Sequence, residues 1–523
     1  MNAIRDDITE QLKIRQKELL CNAARKYKRV FLYGAGNISR AYIDVLEMEN
    51  IKISGLIVSQ KTHSFLNQYP IFSAVESRDE LKESDCVVLA FMGANKNEII
   101  NALLPAQPQI ISLDHLAILS LDDDIRLKPI LSWLNIKFGC AIKEFAFKDI
   151  KNIFVVRLDL IGDFVFTTSF LRELRNNFPK QNITLVVRKQ NYDLAKNCPY
   201  IDNLISYDCP FQEGDLSRQC ENIDLIKERV NEFYNNVTIE KQDVVFFPRE
   251  LLSGRNVLDE LLIGYYCGAR VRIGRQLDLN EVYGDNLYHI LMKNSFSFIS
   301  RHSEAMHETE YSLEMLRDLG LCISKSHMEL WPSADDYVSV YAERVRNAVG
   351  KKIALGIVAS VQRRTWSPEN YIELLKKMDT ITDSKNVFVL FGGKDASGAA
   401  DTILHATQNL RNVEVISLVE KTTLLQSLAC ISLCNIYVGS NTGLLHFASA
   451  MNIPSVTIYA ELSDGKPTDG DAPERMGAWQ VPHIDLIPKS GLDGCHGVCR
   501  MDYSHCINQI KTDQVVEAIL QIL

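Results

Sequence analysis

Short apolar runs rich in Val, Ile, Leu and Phe alternate with stretches of helical periodicity along almost the whole chain. Such alternation predicts parallel sheets whose crossovers are helices packed on the sheet faces. The pattern restarts to give three units. In the first, 30–33, 53–58, 86–91 and 110–113 read as strands and 40–49 as a helix. In the second, 153–157, 183–187 and 244–247 read as strands, Gly162-Asp163 as a tight turn, and 167–178 as a helix stopping before Pro179. In the third, strands are expected at 353–358, 387–391, 436–438 and 456–459, and helices at 368–378, 423–430, 444–451 and 512–523. Upstream, Ile4, Ile8, Leu12 and Leu19 fall at the spacing of an amphipathic helix. The polar stretch 122–126 reads as a boundary, and 283–307 as an irregular excursion. The expected fold is therefore α/β throughout. Residues 1–125 form a helix and a Rossmann-like accessory domain, and 126–345 and 346–523 form two further doubly wound domains.

Composition narrows the class. The 523 residues are 46% hydrophobic and 24% charged, the balance of an ordinary globular chain. Lys and Arg number 57 against 66 Asp and Glu, a net charge of −9, which argues against a dedicated nucleic-acid binder. No apolar run approaches the roughly 20 residues of a membrane span. The charged start, 1–28, lacks an apolar signal core, so the expected compartment is the cytoplasm. Most of the 13 cysteines are accordingly expected to be reduced and buried.

Four local patterns carry candidate chemistry. In the first unit a strand runs into Gly34-Ala-Gly36, a turn that suits close approach of a phosphate to backbone donors. The fingerprint's third glycine is Ser39, and 58–60 lacks an acidic residue for a ribose, so a purely structural turn is the competing reading. In the second unit a strand carrying Arg157 ends before Gly162-Asp163, with Thr167-Thr168 following. A carboxylate there faces the crevice at the strand ends and can take a proton from a hydroxyl; alternatively Asp163 only caps the helix. In the third, Arg363-Arg364 follows a strand and precedes Trp366 and a Ser367-Pro368 helix start. Guanidinium groups suit phosphates, and a solvated basic loop is the plainer reading. Finally, Asn441-Thr442-Gly443 sits before a helix whose first turn holds His446. Free N–H groups and the helix dipole make such a start a seat for a diphosphate, while a lone His is as readily structural.

In this order and spacing the last three patterns resemble the ADP-heptose:lipopolysaccharide heptosyltransferases, glycosyltransferase family 9, over about 152–523. The matching residues are Arg157, Gly162, Asp163, Thr167 and Thr168; Arg364, Trp366 and Glu369; and Thr442, Gly443, His446 and Ala450. Arg270-Val-Arg-Ile-Gly274, 307–310 and the cysteine-bearing tail resemble further landmarks. The sequence departs from the family at Asn441, where relatives carry Asp, and at Arg364, where many carry Lys, which leaves the donor sugar open. The resemblance implies a glycosyltransferase B architecture, with the acceptor on the first half, the nucleotide-sugar on the second and the last helix crossing back to the first. It implies inverting transfer from a nucleotide-diphosphate sugar, ADP-heptose by preference, to a cell-surface glycan or lipid-linked acceptor, with peripheral contact at the inner membrane face. Asp163 is then the base and Arg364 the cation meeting the diphosphate. Asn441, Thr442, Gly443, His446, Arg363 and Asp395 are donor contacts, and Arg157, Thr167 and Thr168 lie on the acceptor side. A nucleotide-sugar epimerase of the same fold and a non-catalytic nucleotide-binding protein are the alternatives.

No cofactor beyond the co-substrate, and no metal, is expected. The tail Cys495-x3-Cys499-x6-Cys506 matches no standard zinc module and reads as buried thiols, with a metal completed by His496 or His505 as the alternative.

Overall fold

The computed structural model describes 139–523 apart from 210–221, 238–239, 251–256, 278–293, 303, 468–470, 493–494 and 500. Before that it describes 21, 25–34, 39, 42–43, 46–47, 50–58, 65–66, 68–73, 75–77, 81–82, 84–89, 103, 109–111 and 130–138. The expected N-terminal helix, the 122–126 boundary and residues 283–293 and 303 of the expected excursion lie outside the described residues; the rest of that excursion is not irregular throughout, since it contains the strand Phe298–His302. The chain divides into two compact units, Met1–Lys137 with Leu279–Asn294, and Phe138–Asp278 with Ser295–Leu523.

The first unit holds β1 (Val30–Tyr33), β2 (Gly55–Val58), β3 (Phe65–Leu66), β4 (Tyr69–Ser73), β5 (Cys86–Leu89) and β6 (Gln109–Ile111). Their order is β3-β4-β2-β1-β5-β6, parallel except for the β3–β4 pair. The central β1 is apolar at all four positions and buried, as a strand covered on both faces must be. At its end Gly34 takes φ 120°, a conformation that favours glycine, and its N–H donates to the Ile57 carbonyl at 2.7 Å. That amide is thus engaged in joining β1 to β2, which accounts for the glycine without a ligand; Gly36 lies outside the described residues.

The second unit contains two sheets of identical topology. One has β7 (Asn152–Arg157), β8 (Asn182–Arg188), β9 (Asn203–Tyr207), β10 (Val244–Glu250), β11 (Val271–Leu277) and β12 (Phe298–His302), ordered β12-β11-β10-β7-β8-β9. The other has β13 (Lys351–Gly356), β14 (Asn386–Phe391), β15 (Val413–Ser417), β16 (Ile436–Ser440), β17 (Ser455–Ile458) and β18 (His483–Leu486), ordered β15-β14-β13-β16-β17-β18. Every pairing in both is parallel. Each chain path starts at the centre, winds outward one way and then reverses. The reversal points lie between β7 and β10 and between β13 and β16, and it is at such points that the strand ends leave a crevice.

The helices that follow the two central crossings define the region of interest. Helix α1 (Ile161–Asn177) follows β7, α2 (Glu308–Asp318) follows β12, α3 (Pro368–Ile381) follows the loop after β13, and α4 (Gly443–Ala450) follows β16. A single buried apolar cluster runs through both halves, from Val155, Phe166 and Phe170 to Leu445 and Phe447. The last helix, α5 (Thr512–Ile522), corrects an expectation: it packs on α3 and on β16–β18 of its own half. Its apolar face, Val515, Val516 and Ile519, belongs to the core around Trp366 and Leu374, which fixes it there. Among the described residues no helix is long and apolar enough to cross a membrane.

Candidate active site

Helix α1 begins earlier than its sequence suggests. Leu160 is the N-cap and offers no side-chain cap, so Gly162 and Asp163 occupy the first turn. Asp163 is therefore not the capping residue that the bare pattern allowed. Gly162 is where α1 meets α4 of the other half: a Cβ there would lie 2.8 Å from His446 Cδ2. Reciprocally, a Cβ on Gly443 would sit 3.3 Å from Ile161 Cγ2. Glycine at these two positions lets the two helix starts approach closely, which brings the Asp163 turn up to the Thr442–Gly443 turn. We expect Gly162→Ala to push His446 aside and lower both the thermal midpoint and ligand affinity. An unchanged midpoint and affinity in a thermal-shift titration would show that the contact is slack.

Asp163 stands over a buried charge network. Arg157 and Arg249 pair with Asp159 at 3.1 and 2.5 Å. Arg249 also reaches Glu260 at 3.3 Å, and Glu260 accepts the Leu158 N–H at 2.6 Å, holding the strand-to-helix loop. Burial, then the negative charge of Asp159, push the Asp163 carboxyl up to about 6, against the pull of Arg157 and Arg249. At neutral pH it is a carboxylate with raised basicity, suited to accept a proton from a hydroxyl. Arg157, Thr167 and Thr168 were expected on the acceptor side. All three are buried. Arg157 donates to the Pro248 carbonyl at 2.5 Å, Thr167 to the Asp163 carbonyl at 3.1 Å and Thr168 to the Val165 carbonyl at 2.8 Å. Their part here is to hold the Asp163 turn and its helix.

On the opposite wall the Asn441–Gly443 turn follows β16. Tyr437 lies beneath it, its hydroxyl donating to the Ser440 carbonyl at 3.3 Å and 3.5 Å from Thr442 Oγ1. The first-turn N–H groups of α4 have no side-chain cap, so they can receive an anion. His446 is buried, its ring edge-on to Phe166 with centroids 4.4 Å apart. Burial, then neighbouring His307, hold it down at about 3, so the imidazole is neutral. Its Nδ1 has no hydrogen-bond partner among the described residues, as a ligand contact would leave it.

The loop after β13 carries the arginines, and they are neither solvated nor free. Arg364 pairs with Asp471 through Nη2 and lies 3.6 Å from Glu461 through Nε; Arg363 lies 3.6 Å from Asp471. Sequence reasoning missed both carboxylates because they lie about a hundred residues downstream. Glu461 is buried, which raises its pKa against the pull of Arg364. An anion binding here competes with Asp471 for the guanidinium. Thr365 anchors the loop by accepting the Ala359 N–H at 3.1 Å, and buried Trp366 donates to the Ile510 carbonyl at 3.1 Å. Asp395 is exposed beyond Gly392-Gly393 at the end of β14.

Two further residues close the region from α2. His307 caps α2 by accepting the Thr309 N–H at 3.2 Å, and its ring stacks on Trp479 at 4.3 Å. Glu308 is buried between Arg275 of the first half and Arg475 of the second. Burial alone would raise its carboxyl, but the two guanidinium groups hold it at about 2. This ion triad clasps the halves together behind the crevice.

Residues 308–471 match the family model described as Glycosyltransferase family 9 (heptosyltransferase). The two sheets of the second unit have the glycosyltransferase B architecture, and the chain is a glycosyltransferase. Among proteins it is similar to, a putative glycosyltransferase of Haemophilus influenzae is 23% identical over 336 residues, 61% of this chain and 84% of the relative. The lipopolysaccharide core heptosyltransferase OpsX of the same organism is 23% identical over 311 residues, 59% of this chain and 79% of its own. The solved structure of a family 9 glycosyl transferase from Veillonella parvula, 20% identical, covers 73% of this chain and 98% of its own with a TM-score of 0.54, a likeness of fold.

Proposed function

We propose that the chain is an inverting, heptosyltransferase-like enzyme that moves a sugar, heptose by preference, from a nucleoside-diphosphate donor to a cell-surface glycan of lipopolysaccharide type. The observation that carries this reading is the approach of the Asp163 turn to the Thr442–His446 helix start across the two halves. The similarity to OpsX supports the acceptor class.

In this mechanism Asp163 takes the proton of the acceptor hydroxyl. The freed oxygen attacks the anomeric carbon on the face opposite the diphosphate. As that bond forms, the bond from the anomeric carbon to the phosphate oxygen breaks and the electron pair leaves with the nucleoside diphosphate. The α4 amides and Arg364 meet the growing charge, and His446 Nδ1 contacts the donor. Preorganised donors of this kind are worth about 2.7–4 kcal/mol each. The acceptor reaches the crevice from the inner membrane face through peripheral contact.

The pairing of Arg364 with Asp471 yields opposed expectations. Arg364→Ala should weaken binding of a nucleoside diphosphate about tenfold, or 1.4 kcal/mol. Asp471→Asn should tighten it, since the guanidinium is released. Calorimetry reads both. Equal affinity in all three proteins would remove Arg364 from the donor site, and conversion of the donor without any acceptor would favour an epimerase.

A further inference from the structure

The cysteine tail, read from its spacing as buried thiols with a metal completed by His496 or His505 as the alternative, has its three thiols buried and brings His505 among them. Cys495, Cys499 and Cys506 are buried and His505 is half-buried, and one ligand atom from each lies within 4.8 Å of the others. His505 Nδ1 is 3.9, 3.7 and 3.3 Å from the sulfurs of Cys495, Cys499 and Cys506. Tetrahedral zinc, with Zn–S near 2.3 Å and Zn–N near 2.0–2.1 Å, requires ligand–ligand separations of about 3.6 Å for N···S and about 3.8 Å for S···S. The cluster already has nearly those dimensions. The other candidate ligand, His496, is 60% exposed and faces Asp464.

We propose that Cys495, Cys499, His505 and Cys506 bind one zinc ion as a closed structural site that fastens the C-terminal tail beneath the arginine loop. Three sulfurs and one imidazole nitrogen fill a tetrahedron, which leaves no position for substrate, and soft thiolates select zinc over magnesium or calcium. The backbone prepares the site: N–H groups of Cys506 and Met501 reach the Cys499 sulfur, and that of Leu492 reaches Cys506. Such N–H contacts orient thiolate ligands and stabilise their charge.

The location gives the site its consequence. The Cys506 turn runs directly into Ile507 and Ile510, which pack in the core with Trp366. Asn508 accepts the Ser367 N–H at 3.3 Å, and Ser504 donates to the Gln362 carbonyl at 3.3 Å. On the other side Leu462 N–H donates to the Gly497 carbonyl at 2.9 Å, next to Glu461. Zinc would therefore hold both neighbours of Arg364, the loop that carries it and the strand end that pairs with it.

The test is metal analysis of the full-length chain purified without a polyhistidine tag. The expected result is about one zinc per chain. A strong chelator should remove it and lower the thermal midpoint, and added zinc should restore both. Cys499→Ser and Cys506→Ser should lose the metal. Because either variant can fail to fold, His505→Cys provides a four-thiolate set that should keep zinc and the midpoint, and Cys322→Ser, at an exposed site elsewhere, should change neither. Cobalt added to the zinc-free protein should give the thiolate charge-transfer and tetrahedral d–d bands of a three-sulfur site. A folded protein with no metal and an unmoved midpoint on chelation would overturn the proposal. So would a disulfide between two of the three cysteines, read by mass spectrometry after alkylation, or iron in place of zinc. Each readout is independent of sugar transfer, so the site stands or falls apart from the proposed reaction.

Discussion

Asp163→Asn is expected to cut turnover by about 10²-fold or more while leaving donor affinity near its original value. The side chain keeps its size, so the approach of α1 to α4 survives; only the capacity to take a proton is lost. In the unaltered enzyme the base works as the carboxylate, whose pKa is pushed up to about 6 by burial and by Asp159. The rate at limiting substrate should therefore fall as pH drops through about 6 and level off above it, and the variant should lose that limb of the profile. Turnover equal to the unaltered enzyme in a folded Asp163→Asn protein would remove the residue from the chemistry.

Glu308→Ala is expected to be the most destabilising of these substitutions. It removes the one carboxylate shared by Arg275 and Arg475, two buried guanidinium groups on opposite halves. Breaking a buried pair in this way costs about 3–5 kcal/mol. The folded carboxyl is held at about 2 against an ordinary 4.5, so this stabilisation is complete above the ordinary value and is lost as pH falls through about 2. Denaturant unfolding followed between pH 3 and pH 7 reads both effects. A midpoint that Glu308→Ala leaves in place would show that the clasp contributes nothing.

The sheets were legible because parallel strands buried on both faces write themselves as short β-branched runs: 153–157 lies within β7, and 387–391 lies within β14. The start of α1 was not, because Gly162 reads locally as a turn. Its reason, the ring of His446, lies nearly three hundred residues away. The same distance hid the charges. Arg249 and Glu308 act on Asp163 from separate elements, and Asp471 reaches Arg364 from about a hundred residues downstream. Local pattern names the residue types at a strand end, but not which opposite charge the fold returns to them. The cysteine tail shows this most plainly. Its spacing fits no module because the fourth member, His505, is adjacent to Cys506, an arrangement that only the folded loop turns into a cluster.

The most direct test of the central claim is a structure of the full chain with an intact, non-transferable nucleotide-sugar. The account predicts the diphosphate on the Thr442–Gly443 amides and Arg364, with the anomeric carbon turned toward Asp163 at a separation that one acceptor hydroxyl can bridge. A donor bound with its anomeric carbon facing away from Asp163, or a diphosphate seated elsewhere, would contradict it.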